Sequence, residues 1–283
     1  MANEVDTGIG TAFFSNVVQS GLYTLNETSI MRPLIRNYDM SGTPGLTAQV
    51  PIYPTVAVST PGDGADLSNA AFDLTTSKTI TASEKGVMVT LTDLMKETAS
   101  EDVASAIGRQ IGSALAEKVD TDIAALFSGF SNTVGTGADE ISIEDLFKAA
   151  ATLRTNKVPS GPIYCVLHPK QAFQIKKLLT NAGSTINHNL SDLGNEALRN
   201  GFVGTLAGMQ IFESTVITGD SAGAFVGAAF HGDALGYMVK RNLRVENQRD
   251  ASLRADEIVG SMAYGVSEIF DTYGVGIIGD ANL

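Results

Sequence analysis

Three stretches of this 283-residue chain carry residue types that could do chemistry. Gly219-Asp220-Ser221-Ala222-Gly223 fits Gly-x-Ser-x-Gly, the strained turn that presents a nucleophilic serine in α/β-hydrolases. That turn must lead from a strand into a helix, whereas residues 224–230 read as another strand. The histidine downstream is His231, and no carboxylate stands between it and Ser221, so the order serine, acid, histidine is not available. A hairpin loop accounts for the match, and a serine hydrolase using Ser221 stands as the distant enzyme alternative. Gly274-Val275-Gly276-Ile277-Ile278-Gly279 fits the dinucleotide fingerprint by letter. Its glycines would have to open a helix and be followed by an acid about 20 residues later. The sequence runs only to Leu283, so this is read as a glycine-studded strand.

The remaining candidates dissolve on inspection of their spacing. His168, His188 and His231 lie far apart, without a zinc-type pairing with cysteine or glutamate. Cys165 and His168 are three apart across a strand end and point to opposite faces. Asp139-Glu140 and Asp256-Glu257 lack the alternation of a calcium loop. Lys240, Arg241, Arg244, Arg249 and Arg254 interleave with Glu246, Asp250 and Asp256, as in a salt-bridged ribbon rather than a phosphate patch. No catalytic constellation, cofactor site or metal site is expected.

Composition bounds the rest. The chain is 43% hydrophobic and 18% charged, as for a globular protein, and no run of about 18 apolar residues suggests a membrane span. The N-terminal segment is acidic and lacks the basic and apolar regions of a signal peptide, and a single cysteine excludes an intrachain disulfide framework, so folding inside a cell is expected. The net charge of −12 sits wholly in residues 1–147, which hold 19 acids and 7 bases, while residues 148–283 hold 12 of each. An acidic surface of that kind repels nucleic acid rather than gripping it.

The elements that would position these residues begin with an arm, residues 1–47, carrying one short helix near Thr11 to Ser20. Residues 48–93 read as two extended runs around the turn Pro61-Gly62-Asp63-Gly64, a polar two-stranded ribbon with little core of its own. Thr98 to Phe130 reads as one long helix. Val103, Ile107, Ile111, Leu115, Val119, Ile123 and Leu126 form its apolar stripe. The expected capping box is Thr98-Ala99-Ser100-Glu101, and Gly129 the expected left-handed cap. Gly108, Gly112 and Ala116 recur every fourth residue, and each glycine costs about 1 kcal/mol relative to alanine. Close approach of another backbone is the expected compensation. A second helix follows the cap Ser142-Ile143-Glu144-Asp145, with Ile143, Leu146, Phe147, Ala150 and Leu153 on one face. Residues 163–167 are a buried strand, Pro169 opens a helix bearing Ala172, Phe173, Ile175 and Leu179, and the chain after Phe202 is rich in strands.

This order of parts resembles the major capsid protein of tailed bacteriophages, the Hong Kong 97 fold. Residues 86–94, leading into the long helix with Asp120 and Asp122, carry the resemblance, as do residues 198–214, a glycine-spaced segment entering a strand. Leu167-His168-Pro169, Ile258-Val259-Gly260-Ser261 and Tyr264-Gly265-Val266 support it.

The resemblance implies an α+β fold with an N-terminal arm (1–47), an extended β-loop (48–93), a peripheral domain with a spine helix (94–141), an axial α/β domain (142–240), and peripheral return strands with the C-terminus (241–283). It implies a structural protein, not an enzyme, that self-assembles into hexamers and pentamers of an icosahedral head enclosing double-stranded DNA. The head would form in the host cytoplasm, with a portal, with either a separate scaffolding protein or processing ahead of this N-terminus, and with or without a decoration protein as partners. An encapsulin-like shell is the nearer alternative. Pro61, Gly62, Asp63, Gly64, Lys78 and Lys85 are the expected subunit-interface residues, and Gly108, Gly112 and Ala116 the spine-packing residues, against the peripheral sheet. No asparagine is marked as a cross-linking partner for Lys78 or Lys85, so no covalent linking is expected.

Overall fold

The computed structural model describes residues 17–25, 29–53, 56, 58–64, 66, 77–98, 103–180, 204–219 and 223–280. Residues 17–25 are helical (α1), and a 3-10 turn, Arg32–Leu34, leads into β1 (Arg36–Asp39). β2 (Thr47–Pro51) and β3 (Ser77–Thr81) pair only with each other, antiparallel. β4 (Ser83–Thr92) then enters a four-stranded sheet and is followed by α2 (Asp93–Thr98) and α3 (Val103–Ala124). After these come β5 (Thr133–Val134), α4 (Ile143–Thr155), β6 (Ile163–Leu167), α5 (Pro169–Thr180), β7 (Thr205–Leu206) and β8 (Met209–Glu213). The last strands are β9 (Ala224–His231), β10 (Leu235–Asp250), β11 (Ala255–Glu268) and β12 (Gly274–Asp280).

Two sheets organise the chain. One has the order β1-β10-β11-β4, the other β5-β12-β9-β6-β8-β7. The chain passes between them at β9–β10 and again at β11–β12. Within the second extended run the ribbon reading therefore fits β3 and not β4. β4 is paired along its length with β11 and buries Leu91, because Val87, Val89 and Leu91 alternate inward over α3. The C-terminal strand β12 lies in the six-stranded sheet, between β5 and β9, and not beside β10 and β11.

The cores follow from period-two alternation. Val166, Ala228 and Phe230 face a core shared with α3, α1 and the inner face of the four-stranded sheet, where Ile258, Met262 and Tyr264 of β11 line up. Cys165, Leu167, Ala229, Val275 and Ile277 face the other way, under α4 and α5. The helix α4 is capped as its sequence requires: the Ser142 side chain accepts from the Asp145 amide, and the Asp145 carboxylate accepts from the Ser142 amide at 3.1 Å. Ile143, Leu146, Ala150 and Leu153 are buried, but Phe147 is 53% exposed and Phe173 on α5 is 51% exposed. Both were expected in the core. Each sits at the edge of its apolar stripe, and the inward places beside them are filled by Ala149 and by Ala172 with Ile175.

The long helix also differs from its expected bounds. Thr98, the expected N-cap, is the last residue of α2, and residues 99–101 of that capping box lie outside the described residues. At the other end α3 tightens into a 3-10 turn, Ala125–Gly129, and leaves it through extended Phe130. Gly129 is not among the residues of positive φ, so the expected left-handed cap is replaced by that tightening.

Candidate functional site

The glycine strip on α3 meets a backbone, as its cost required, but that backbone is α1 rather than the sheet. A Cβ on Gly108 would stand 2.5 Å from the Val17 carbonyl oxygen and closer still to the Ser20 hydroxyl. A Cβ on Gly112 would stand 3.1 Å from the Gly21 carbonyl carbon, with the Gly21 oxygen nearer. Gly21 is small for the same reason, because a Cβ there would lie 3.2 Å from the Gly108 oxygen. Ala116 is fully buried one turn further on. The sheet is met by a different face of α3, where Ile111 packs into the space left by Gly260.

A second tie holds the chain just after α1. Asp120 on α3 is 4% exposed, and its carboxylate accepts from the Ser29 hydroxyl at 2.6 Å, the Ile30 amide at 2.9 Å and the Met31 amide at 3.3 Å. It thereby satisfies amides that open the 3-10 turn at Arg32–Leu34. Burial raises the Asp120 carboxyl above its ordinary range, against the lowering by those hydrogen bonds. Two residues on, Asp122 accepts from the Tyr264 hydroxyl at 2.8 Å and is paired with Lys118 at 2.6 Å. Burial first, and Asp122 second, push the Tyr264 hydroxyl up.

The β2–β3 ribbon is rooted firmly and exposed distally. At its root Ile80 and Ala82 pack with Met238 and Ile269, and Ala48, Val50 and Tyr38 close over them. Gly236 and Gly265 make the room: a Cβ on Gly265 would stand 2.7 Å from the Thr81 carbonyl carbon, and one on Gly236 3.0 Å from the Ile80 side chain. Ala82 donates to the Leu46 carbonyl at 2.8 Å, and Lys78 pairs with Glu268 at 3.6 Å. Beyond the root, Val58 is 95% exposed and Val56 is exposed as well. Pro61, Gly62, Asp63 and Gly64 are exposed, nothing lies within 4 Å of a Cβ placed on Gly62 or Gly64, and Gly64 turns the chain with φ +77°. Lys85 lies apart from these. It sits in β4 opposite Met262, within the four-stranded sheet, because the ribbon ends at Thr81.

Within the interleaved charges of the β10–β11 hairpin two pairs form, Arg244–Glu246 and Arg249–Asp256, and other bonds from these residues reach outside it. Arg249 binds Asp93 through two bonds of 2.7 and 2.6 Å and Asp256 at 3.2 Å, Arg244 pairs with Glu246, and Arg241 with Glu84. The first of these ties α2 to the hairpin, beside exposed Leu94, Met95 and Leu253. Arg241 sits where the register shifts on both sides, and the bulges bend β10 there.

The sequence's chemical candidates are structural where they are described. Cys165 is fully buried, and burial pushes its thiol up to about 12, so it is held as an unreactive thiol. His168 stacks on Phe225 at 4.1 Å, and burial and Lys170 lower its imidazole. Ser221 lies outside the described residues. Its flanks form a hairpin, with Gly219 bridged to Phe225, and β9 follows where a nucleophile turn needs a helix. Gly274–Gly279 is strand β12. Among the described residues no His, Cys, Asp and Glu gather as a metal-binding group, and no helix is long and apolar enough to cross a membrane. Two side chains escaped sequence reasoning entirely. Gln171 and Gln174 on α5 are buried; Gln171 donates to the Phe225 carbonyl at 2.8 Å, while Gln174 accepts from the Ile141 amide at 3.1 Å and donates to the Asp280 carbonyl at 2.6 Å. Glutamine reads as a surface residue, and nothing in its spacing separates these two from Lys176 or Lys177.

A family described as phage capsid protein matches residues 52–276. No curated protein matches the sequence. Among solved structures, the capsid of cyanophage P-SCSP1u superposes with a TM-score of 0.71 at 19% identity, covering 90% of this chain and 89% of that one. The capsid of a native GTA particle gives 0.71 at 12% identity, covering 90% and 91%. A virus-like particle from Pyrococcus furiosus gives 0.60 at 14% identity, covering 94% and 99%.

Proposed function

The chain belongs to the phage capsid protein family, a family of structural proteins rather than enzymes, and from that premise we propose that its copies assemble as hexamers and pentamers into an icosahedral head around double-stranded DNA. The observation that carries this reading is the ribbon. A two-stranded ribbon is marginal alone, and this one is held at its root by Gly236, Gly265, Ile80 and Met238 while Val56 and Val58 face solvent beyond it. An isolated subunit gains nothing by holding such residues in water; a neighbouring copy that covers them does. Pro61, Gly62, Asp63, Gly64 and Lys78 lie on this ribbon and its loop and are assigned to the subunit interface, with Lys85 beside its base.

In this reading the part of 48–93 before β4 acts as the extended loop, β4 with 94–141 as the peripheral unit with its spine, 142–240 as the axial domain and 241–283 as the returning strands, of which β12 lies in the six-stranded sheet. Only the part of the arm before α1 exchanges between subunits. Four peptide steps from Leu25 to Ser29 span at most about 15 Å, and α1 and Ser29 are both bound to the α3 of their own chain. A scaffolding protein and a portal are the partners in this reading, with or without a decoration protein, and assembly takes place in the host cytoplasm.

Sedimentation and electron microscopy of the purified full chain test the reading. Closed particles are expected, with loss of particles when residues 54–75 are replaced by a short Gly-Ser turn and the subunit still folds. A chain that stays monomeric at all concentrations and salt conditions overturns it. Particles carrying enzyme cargo in place of DNA would turn it into an encapsulin-like shell.

A further inference from the structure

Between β2 and β3 the chain makes a turn whose backbone is placed to react with its own side chain. Asp63 is followed by Gly64, both are exposed, and Gly64 holds φ +77°. Nothing lies within 4 Å of a Cβ placed on Gly64, so the space beside its amide is open. Among the described residues none hydrogen-bonds the Asp63 carboxylate or the Gly64 amide. Other aspartates in turns are held. Asp39 accepts from the Ser41 amide at 2.8 Å, Asp250 from the Ser252 amide at 2.8 Å and the Leu253 amide at 3.2 Å, and Asp139 from the Thr136 hydroxyl at 2.7 Å. Such bonds keep each carboxylate from its own following amide. The residues that come next there are Met40, Ala251 and Glu140, whose Cβ crowds an approach that glycine leaves free.

We propose that Asp63-Gly64 is a self-modification site, at which the free subunit slowly converts aspartate to isoaspartate. The Gly64 amide nitrogen attacks Cγ of the protonated Asp63 carboxyl, the nitrogen gives up its proton, the carboxyl hydroxyl leaves as water, and a cyclic imide forms. Water then opens the imide. Attack at Cγ restores aspartate, whereas attack at the former peptide carbonyl leaves the main chain running through Cγ, with the carboxylate on Cα. Water is the co-reactant in both directions, so the product has the mass of the starting chain. The main chain at the turn is longer by one methylene, and the turn that Gly64 makes is rebuilt. A turn seated against a neighbouring copy no longer fits after that change, and a turn already seated cannot bend into the imide. The reaction thus times how long an unassembled chain stays competent. That consequence rests on the assembly reading above; the modification itself belongs to the subunit.

Ageing the purified full chain in neutral buffer made with heavy-oxygen water, followed by digestion and mass spectrometry, reads the reaction without any need for particles. The wild-type peptide carrying Asp63 is expected to gain heavy oxygen at that residue and to split off a second chromatographic form that fragments across the isoaspartate Cα–Cβ bond. The peptides carrying Asp39, Asp139 and Asp250 are expected to stay single. Asp63→Asn loses ammonia more readily than the acid loses water, so it is expected to react faster. Gly64→Ala, which puts a Cβ beside the attacking nitrogen, is expected to slow the reaction, and Asp63→Glu, whose longer side chain closes its ring poorly, to lose it. An unaltered wild-type peptide overturns the proposal, as does an equal rate in Gly64→Ala. When aged wild type is returned to assembly conditions, the isomerised chains are expected among the free subunits and not in the particles. Isomerised chain incorporated in proportion overturns the timing consequence. A chain that forms no particles sinks the assembly reading and leaves the peptide result standing.

Discussion

The six-stranded sheet with α4 and α5 and the ribbon of β2 and β3 were built under opposite rules. In the first, nearly every inward position is filled from within the chain, down to two glutamines that give their side chains to buried backbone groups. In the second, the root is fitted to the sheet by two glycines, and the distal part leaves Val56 and Val58 in water. A region that completes its own core contributes stability to the subunit. A region that stops short of doing so holds its apolar surface for another molecule. The α1–α3 crossing belongs with the first kind, although it lies in what the sequence suggested was a loose arm.

The sharpest way to break that comparison is at the crossing. Gly108→Leu and Gly112→Leu each drive a side chain into the backbone of α1, and a loss above about 4 kcal/mol, with largely insoluble protein, is expected. Gln110→Leu, on the exposed side of the same helix, should stay within about 0.5 kcal/mol of wild type. Denaturant unfolding of the soluble variants checks both. Equal behaviour of all three would place α1 with the ribbon, as a segment waiting for a partner.

Next in size is the interior of the six-stranded unit. Gln174→Leu removes an acceptor from the Ile141 amide and a donor from the Asp280 carbonyl at a side chain that is 1% exposed, and about 2–4 kcal/mol of stability should go with them. Phe173→Ser, one residue away but exposed, should cost less than about 0.5 kcal/mol. Thermal unfolding of the two variants reads the difference between the faces of one helix.

How much of this was legible follows from the range of the interactions. The Ser142–Asp145 cap, the strand at residues 163–167 and the helix opened by Pro169 are local devices and stand where the sequence put them. The glycine strip announced a close backbone but not whose, because Gly21 is a single residue some ninety positions away. The return of β12 between β5 and β9, and the capture of β4 by β11, are pairings across the chain that no local period encodes. Phe147 and Phe173 were misplaced for a related reason: an amphipathic stripe gives a direction, and its width depends on how close the sheet beneath comes. The pairing of β2 with β3 was legible because the Ser and Thr that alternate along Ser77–Thr81 leave few apolar side chains for a core of its own.

Asp120 gives a smaller effect, with a definite sign. Its carboxyl is raised in the folded chain by burial, so the folded state holds the proton more tightly than the unfolded state, whose carboxyl titrates near about 3.9. Stability therefore rises as pH falls through the raised folded value, and the gain is complete once pH is below the unfolded one. Asp120→Asn cannot titrate there, so the stability of wild type relative to the variant should increase on acidification, measured by urea unfolding at a series of pH values. A difference that falls on acidification would mean that the hydrogen bonds from Ser29, Ile30 and Met31 outweigh burial, and that the tie is an acid-sensitive one.

The smallest expected effect on the subunit is the one that carries most about assembly. Val56→Ser with Val58→Ser removes apolar surface that the subunit leaves in water, so its unfolding free energy should change by less than about 0.5 kcal/mol. Burying two valines at an interface is worth about 1.5–3 kcal/mol each, and every copy in a shell makes that contact, so the concentration needed for particles should rise at least tenfold. Sedimentation velocity across a dilution series measures this. The pairing of the two readouts is what decides. If the variant unfolds more easily, the valines are folded back onto their own chain and the ribbon is a poorly packed part of the core. If the subunit is unchanged and the particles are too, the surface that joins the copies lies elsewhere. An unchanged subunit with a raised assembly threshold is the outcome in which the two regions differ as their packing indicates, one completing itself and the other completed by a neighbour.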